Sequence, residues 1–243
     1  MKLTKSKNPE LSIVLPVFNE EKNIPRVVNE FLKISKKASI EVIFVEDGGS
    51  KDKTREVITK LSKKYRFIKP LFTNEPGYGI SLYNGLKASS GEFIGWTHSD
   101  LQTPPFDTFR ALELIKSSNN PCMTYVKGKR YGRPLMDKIV NSIGMSIFET
   151  LVLRTWMYDI NAQPNIFHRS FLKNLNNPPK DFAFDLFVYY TARKNKYKII
   201  RFPVHFGKRI FGESAWNTGW KARFKFIKRT MKFTKEMKKQ LKD

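Results

Sequence analysis

Three polar clusters stand at the ends of short apolar runs: Asn19-Glu20 after LSIVLPVF, Glu46-Asp47 after IEVIFV, and His98-Ser99-Asp100 after EFIGW. Carboxylates gathered in one place repel, and they persist where a cation or a hydrogen-bond donor sits between them. A ribose with two hydroxyls, a uracil or guanine edge, and a metal-bound diphosphate are such partners. Mg2+ and Mn2+ favour oxygen ligands and share one or two carboxylates with substrate phosphates. Asp47 and Asp100 also have a plainer use, as caps of the helices that follow them. Three such clusters together are harder to explain that way.

These clusters converge only if the apolar runs are neighbouring strands. Leu11–Phe18 reads as a buried parallel strand, and Ile40–Val45 as a second. Between them, Glu21 to about Lys37 carries Ile24, Val27, Val28, Phe31, Leu32 and Ile34 at helical spacing. After the Asp47-Gly-Gly-Ser turn, Ser50 or Asp52 can cap a helix bearing Val57, Ile58 and Leu61. Phe67–Phe72 is a third strand, Tyr78–Ser89 a helix after the Gly77/Gly79 loop, and Glu92–Trp96 a fourth strand. The alternation predicts an α/β fold with a mostly parallel sheet and helices on both faces. Ligands in such sheets sit beyond the carboxyl ends of the strands.

The second half is less regular. A helix opens at Pro104-Pro105 and runs to about Ser117, Cys122–Val126 reads as a strand, and Val126–Pro134 (VKGKRYGRP) as a basic loop. Leu135–Leu153 reads as a long helix, Asn165–Phe167 as a short strand and Phe182–Arg193 as a helix. Lys198–Phe206 reads as a strand whose Pro203 favours an edge. Trp216, Trp220, Phe224, Ile227 and Met231 then follow at helical spacing. The division expected is one domain over 1–215 and a basic amphipathic helix over 216–243.

Composition narrows the partners. Lys and Arg number 45 against 22 Asp and Glu, a net charge of +23, which points to an anionic partner: nucleic acid, a membrane surface or a phosphorylated substrate. The lone cysteine, Cys122, excludes an intramolecular disulfide and a multi-cysteine zinc site, and suits a reducing compartment. No stretch is long and apolar enough to span a bilayer. The basic N-terminus leads into no apolar segment before Pro9, so a secretory signal is not expected. Trp216–Asp243 holds ten basic and two acidic residues. It suits an anionic bilayer interface, although its apolar stripe could equally pack on the domain.

LSIVLPVFNEEKNI, EVIFVEDGGSKDKT and GEFIGWTHSDLQTPP, in that order and spacing, resemble the inverting family 2 glycosyltransferases of GT-A fold. Among them the pattern is most similar to the dolichol- and polyprenyl-phosphate sugar synthases. The resemblance is close over Ser12–Pro105 and looser to Trp216. It implies that Pro16, Phe18, Asn19 and Glu20 line a nucleoside pocket, with Asp47 at the base or ribose and Gly48 letting the backbone approach. Ser99 would join the donor site, and Gly77–Ser81, with Gly79, would close over the diphosphate. Asp100 takes the last position of the DXD-type motif as ligand of Mg2+ or Mn2+, assisted by Gln102. His98 stands where the family usually has an acid; imidazole can ligate Mn2+ or donate to a phosphate.

The same resemblance makes Lys127, Lys129, Arg130 and Arg133 a mobile basic loop that meets phosphates. Lys208–Ser214 resembles the family's closing R…GES segment, with Arg209 at the leaving diphosphate or an acceptor phosphate. In DINAQPNIFHR, Gln163-Pro164-Asn165 replaces the family's glycine, and Asp159 would contact the acceptor or fix a lid.

An inverting transfer is one displacement at the anomeric carbon, and the leaving diphosphate needs positive charge. A hydroxyl acceptor also needs a general base, for which Asp159, Asp181 and Asp185 are candidates. A lipid phosphate needs none. The leading expectation is transfer of a hexose from a UDP- or GDP-linked donor to a polyprenyl- or dolichyl-phosphate-type lipid. The enzyme would act from the cytoplasm, peripherally at the membrane face, against an anionic surface or a membrane partner. The alternatives are transfer to a hydroxyl of a surface polysaccharide or lipid-linked glycan, a non-catalytic nucleotide-sugar binder, and a basic nucleic-acid-binding protein. No nucleic-acid partner is expected, because such a protein has no use for acidic strand ends.

Overall fold

The computed structural model describes residues 8–132, 144–209, 211, 228–236 and 238. Strands β1 (Leu11–Val17), β2 (Ile40–Glu46), β3 (Ile68–Phe72), β4 (Phe93–Trp96), β5 (Thr124–Tyr131), β6 (Asn165–His168) and β7 (Lys198–His205) form one sheet. Its order is β3-β2-β1-β4-β6-β5-β7. β1, β2, β3 and β4 pair in parallel, β6 runs antiparallel to β4 and β5, and β7 pairs parallel to β5 at the edge, where Pro203 is tolerated. Helices α1 (Ile24–Ser35), α2 (Thr54–Lys64), α3 (Tyr78–Ala88), α4 (Phe106–Lys116), α5 (Met145–Leu153) and α6 (Phe184–Lys194) intervene, and a further helix covers 228–236.

The continuous apolar runs of β1 and β2 follow from burial on both faces. Side chains alternate across a strand, so Leu11, Ile13, Leu15, Val42 and Phe44 pack with Ile24, Val27, Phe31, Leu112 and Ile115 of α1 and α4. Val14, Ile43 and Val45 turn the other way, onto Leu82 and Leu86 of α3 and Leu186 and Val188 of α6. The expected α/β architecture with helices on both faces is therefore observed. Chain order reverses between β1 and β4, which opens the cleft at their carboxyl ends. β4 and β6 approach so closely that a Cβ on Gly95 would stand 2.0 Å from Asn165 O.

One expectation needs correction. Lys127, Lys129 and Arg130 do not form a mobile loop: β5 continues through Tyr131, paired residue for residue with β7. Thr124–Tyr131 and Lys198–His205 satisfy each other's backbone groups, a long-range pairing that local composition cannot reveal. Of the long helix, Met145–Leu153 is observed, and 133–143, with Arg133, lies outside the described residues. So do 212–227, with Gly212, Glu213, Ser214, Trp216 and Trp220.

The 228–236 helix packs on the domain through Phe233 and the fully buried Thr234. Thr234 faces Glu149 of α5, whose side chain is wholly buried. Burial pushes the Glu149 carboxyl up from 4.5 to about 7. The folded protein thus holds a proton that the unfolded chain releases near 4.5. Stability from this group is complete below that pH and is lost as pH rises toward 7 and beyond, by about 3 kcal/mol in all at ~1.36 kcal/mol per unit. Glu149→Gln is expected to flatten the pH dependence of the urea midpoint between pH 5 and pH 8 and to raise the midpoint at the alkaline end. An unchanged slope would show that the carboxyl is solvated.

Candidate active site

The carboxyl ends of β1, β2 and β4 bring the predicted clusters together. Glu20 is buried; its Oε2 accepts from Asn23 Nδ2 at 2.5 Å and its Oε1 pairs with the Arg209 guanidinium. Burial raises its carboxyl above the ordinary value, against the pull of Asn23 and Arg209. Asn19, at φ 54°, clasps the next loop: its N–H donates to Ser50 Oγ and its Oδ1 accepts from Lys51 N at 2.8 Å. Ser99 Oγ donates to Pro16 O at 3.1 Å, so these two residues hold the β4 loop to β1.

Asp47 bridges two loops, its Oδ1 accepting from Gly49 N at 3.1 Å and its Oδ2 from Gly77 N at 3.0 Å. Between them Gly48 adopts φ +86°, a conformation glycine takes without strain, and a Cβ there would meet Thr73 O at 3.1 Å. Phe18 is 47% exposed and its ring lies against Gly49, where a Cβ would stand 3.0 Å from Cε2. An open aromatic face therefore stands beside the Asp47 loop. Gly79 lies deeper: its N–H donates to Lys180 O at 2.9 Å, and the backbone of Pro179–Asp181 leaves no room for a Cβ. Its place is in packing α3 against that segment.

Asp100 is buried, its Oδ1 accepting from Gln102 N at 3.1 Å. Its Oδ2 lies 3.9 Å from Arg209 Nη1. Gln102 is stitched to the closing segment, with Nε2 donating to Gly207 O at 3.2 Å and its carbonyl accepting from Gly207 N at 2.8 Å. His98 sits among Asp100, Asp185, Arg130 and Arg209; burial draws its imidazole below the ordinary value, the two carboxylates oppose this, and the two cations add to it. Neutral imidazole is the form that ligates a metal.

Among the described residues, no three His, Cys, Asp or Glu side chains stand close enough to hold a metal alone. Asp100 Oδ2, with His98 beside it, fits a hard cation that takes one protein carboxylate and completes its shell on diphosphate oxygens. The donor set does not suit a cation caged by protein groups.

Arg209 is the hub of the closing segment. Besides Glu20 and Asp100, its Nε donates to Phe211 O at 2.9 Å. The Phe211 ring lies under Arg26, 4.7 Å from its guanidinium carbon, and Phe211 O is 3.4 Å from Asn23 Nδ2. A cationic side chain is thus strapped across the acidic strand ends.

The remaining candidates lie behind this layer. Arg130 N and Nε donate to Asp159 at 2.9 and 2.8 Å, and its Nη2 reaches the same carboxylate. Burial pushes the Asp159 carboxyl up, but Arg130 outweighs it and holds the group below the ordinary range. So low a pKa, with the carboxylate already tied, makes a poor general base. Asp181 accepts from Ala183 N at 2.9 Å and pairs with Arg229 at 3.1 Å. Asp185 accepts from Trp96 Nε1 at 3.1 Å and from the Tyr78 hydroxyl, and burial raises its carboxyl against the charge of Lys127.

Sequence reasoning missed the polar network around Lys127. That residue is fully buried, its Nζ donating to Ala162 O and Asn165 Oδ1 at 2.7 Å each. Burial lowers its ammonium to about 7. Tyr125 donates to the same Asn165 Oδ1 at 2.9 Å, and Gln163 Nε2 donates to Tyr78 at 2.8 Å. Lys127 therefore reaches no phosphate, contrary to the loop reading. The one available signal was Gln163-Pro164-Asn165 in place of glycine, since polar side chains in a central strand need buried partners.

An open α/β sheet with acidic residues at its switch point and an arginine strapped across them makes this cleft a candidate nucleoside-diphosphate site. Residues 12–175 match the family model for glycosyl transferase family 2, and the chain belongs to that family. The bactoprenol glucosyl transferase of Shigella phage SfV is 38% identical over 99 residues, 39% of this chain and 32% of that relative. A prophage-derived bactoprenol glucosyl transferase of Shigella flexneri is likewise 38% identical, over 31% of its length. The match thus spans about a third of these relatives. Glucosyl-3-phosphoglycerate synthase of Mycobacterium tuberculosis, crystallised with Mn2+, UDP and glucosyl-3-phosphoglycerate, superposes with a TM-score of 0.70 at 16% identity, covering 95% of this chain and 80% of that one. The fold is therefore of the GT-A type.

Proposed function

We propose that the protein transfers a hexose, with inversion, from a nucleoside-diphosphate sugar to a polyprenyl-phosphate-type lipid at a membrane face. The observation that carries this reading is the division of charge at the cleft. Arg209 stands beside Asp100, where a leaving diphosphate would sit, whereas the three base candidates are engaged elsewhere, Asp159 and Asp181 with arginines and Asp185 with Trp96 and Tyr78. A phosphate acceptor is already an anion and needs no base. The bactoprenol glucosyl transferases support the same acceptor class.

In this reading Phe18 stacks on the base, and Asp47 with the Asn19–Glu20 turn holds the nucleoside. Asp100, with His98 and a supporting Gln102, would hold Mg2+ or Mn2+. That cation would act on the leaving diphosphate as a Lewis acid. Arg209 orients the diphosphate and offsets its charge, and the neutral His98 can donate it a hydrogen bond. The membrane placement is part of the proposal: among the described residues no helix is long and apolar enough to cross a bilayer.

The test is a thermal-shift titration with UDP-, GDP- and dTDP-sugars, with and without Mn2+, followed by transfer to undecaprenyl phosphate in detergent. A ligand at about a hundredfold excess over Kd stabilises the folded state by about 2.7 kcal/mol. One nucleotide series should raise Tm, more with Mn2+ than without, and its sugar should pass to the lipid. No shift with any series would sink the donor site, and transfer only to sugar hydroxyls would sink the acceptor.

A further inference from the structure

The helix α5 buries two polar side chains alongside Leu153 and exposes two large apolar ones. Ser146 and Glu149 point inward and are buried, whereas Ile147 and Leu151 point outward and are 56% and 72% exposed. Just beyond its end, Trp156 is 65% exposed. A helix on a water-facing surface turns such residues the other way. Three large apolar side chains within ten residues form the kind of patch that marks a contact with something apolar.

The neighbourhood indicates what that is. The 228–236 helix packs beside α5, with Thr234 facing Glu149 and Thr230 lining the same small cavity as Met145 and Ser146. Its exposed residues include Lys228, Lys232 and Lys235. Exposed apolar side chains, an exposed tryptophan and cations on the adjoining helix are what an anionic bilayer interface accepts. The patch is also coupled to the cleft, since Ser146 Oγ accepts from Asp159 N at 3.1 Å and Asp159 holds Arg130.

We infer that Ile147, Leu151 and Trp156, with the basic face of the 228–236 helix, form a docking surface for an anionic lipid bilayer, which sets the cleft beside the leaflet that carries the acceptor. The inference deepens the lipid-phosphate reading by naming the face that meets the membrane. Its test needs neither donor nor acceptor, so the two can fail separately.

The full chain is pelleted with vesicles of phosphatidylcholine carrying phosphatidylglycerol, and with vesicles of phosphatidylcholine alone. Wild-type protein should bind the anionic vesicles, and its tryptophan emission should shift to the blue and be quenched by brominated acyl chains, with Trp156→Ser removing part of that change. Leu151→Asp and Trp156→Ser should each weaken binding more than about tenfold, from the apolar area lost, with Tm unchanged. Lys232→Gln and Lys235→Gln should weaken it about fivefold each, on anionic vesicles only. Equal pelleting of Leu151→Asp and wild type would overturn the inference. So would a concentration-dependent dimer that Leu151→Asp abolishes, because a second copy would then be what covers the patch.

Discussion

Replacing Arg209 with alanine is expected to lower donor turnover by about 100- to 1,000-fold, the usual loss when a preorganised charge at a developing anion is removed. The side chain is fixed before any ligand arrives: Glu20 pairs with it, Phe211 O accepts from its Nε at 2.9 Å, and Asp100 Oδ2 lies 3.9 Å away. Such a cation costs little reorganisation when the leaving diphosphate gains charge. It also neutralises two carboxylates that would otherwise repel that diphosphate. The two roles separate in the double variant Arg209→Ala with Glu20→Gln. If Arg209 serves only as Glu20's counter-charge, the double variant recovers most of the lost turnover, read as nucleoside diphosphate release. If the guanidinium acts on the diphosphate, both variants stay slow, and Arg209→Lys recovers only part. Near-normal turnover in the single variant would remove Arg209 from the mechanism.

The parts of the fold that were legible in the sequence are those whose burial is local in pattern. β1 and β2 are apolar almost without interruption because helices cover both faces of the sheet, and the acids at their ends stand out against that run. α1 was legible for the same reason, its buried stripe falling on Ile24, Val27, Val28, Phe31 and Ile34. β5 was not. Its Lys127, Lys129 and Arg130 look like a loop, and what makes them a strand is β7, more than seventy residues downstream. Lys127 is tolerated in the interior because Ala162 and Asn165 supply its acceptors, and no rule of spacing foretells that. The strand ends pointed to the candidate cleft, and the buried partners of Arg130 and Lys127 take those two cations out of it.

Asp159→Ala should cost about 3–5 kcal/mol of stability, the penalty for leaving one member of a buried ion pair alone. Arg130 is only 9% exposed at its side chain and Asp159 3%. The carboxylate takes the Arg130 backbone N–H as well as the guanidinium, so its loss frees the end of β5 along with the charge. Asp159 sits at φ 44°, where asparagine is tolerated better than alanine. Asp159→Asn should therefore lose less, and Arg130→Met with Asp159→Ala should recover much of the loss by removing both charges. Acid should mimic the alanine variant. Arg130 holds the folded carboxyl below its ordinary value despite burial, so its contribution is present above the unfolded value near ~3.9 and disappears as pH falls below it. Urea midpoints across that range should converge for wild type and variant at low pH and diverge above it. A loss under ~1 kcal/mol at neutral pH, the scale of an exposed pair, would show that the pair is solvated and Arg130 available to phosphate. The expected large loss would instead make Arg130 a strut that holds β5 against the cleft, leaving Arg209 as the cation that meets the donor.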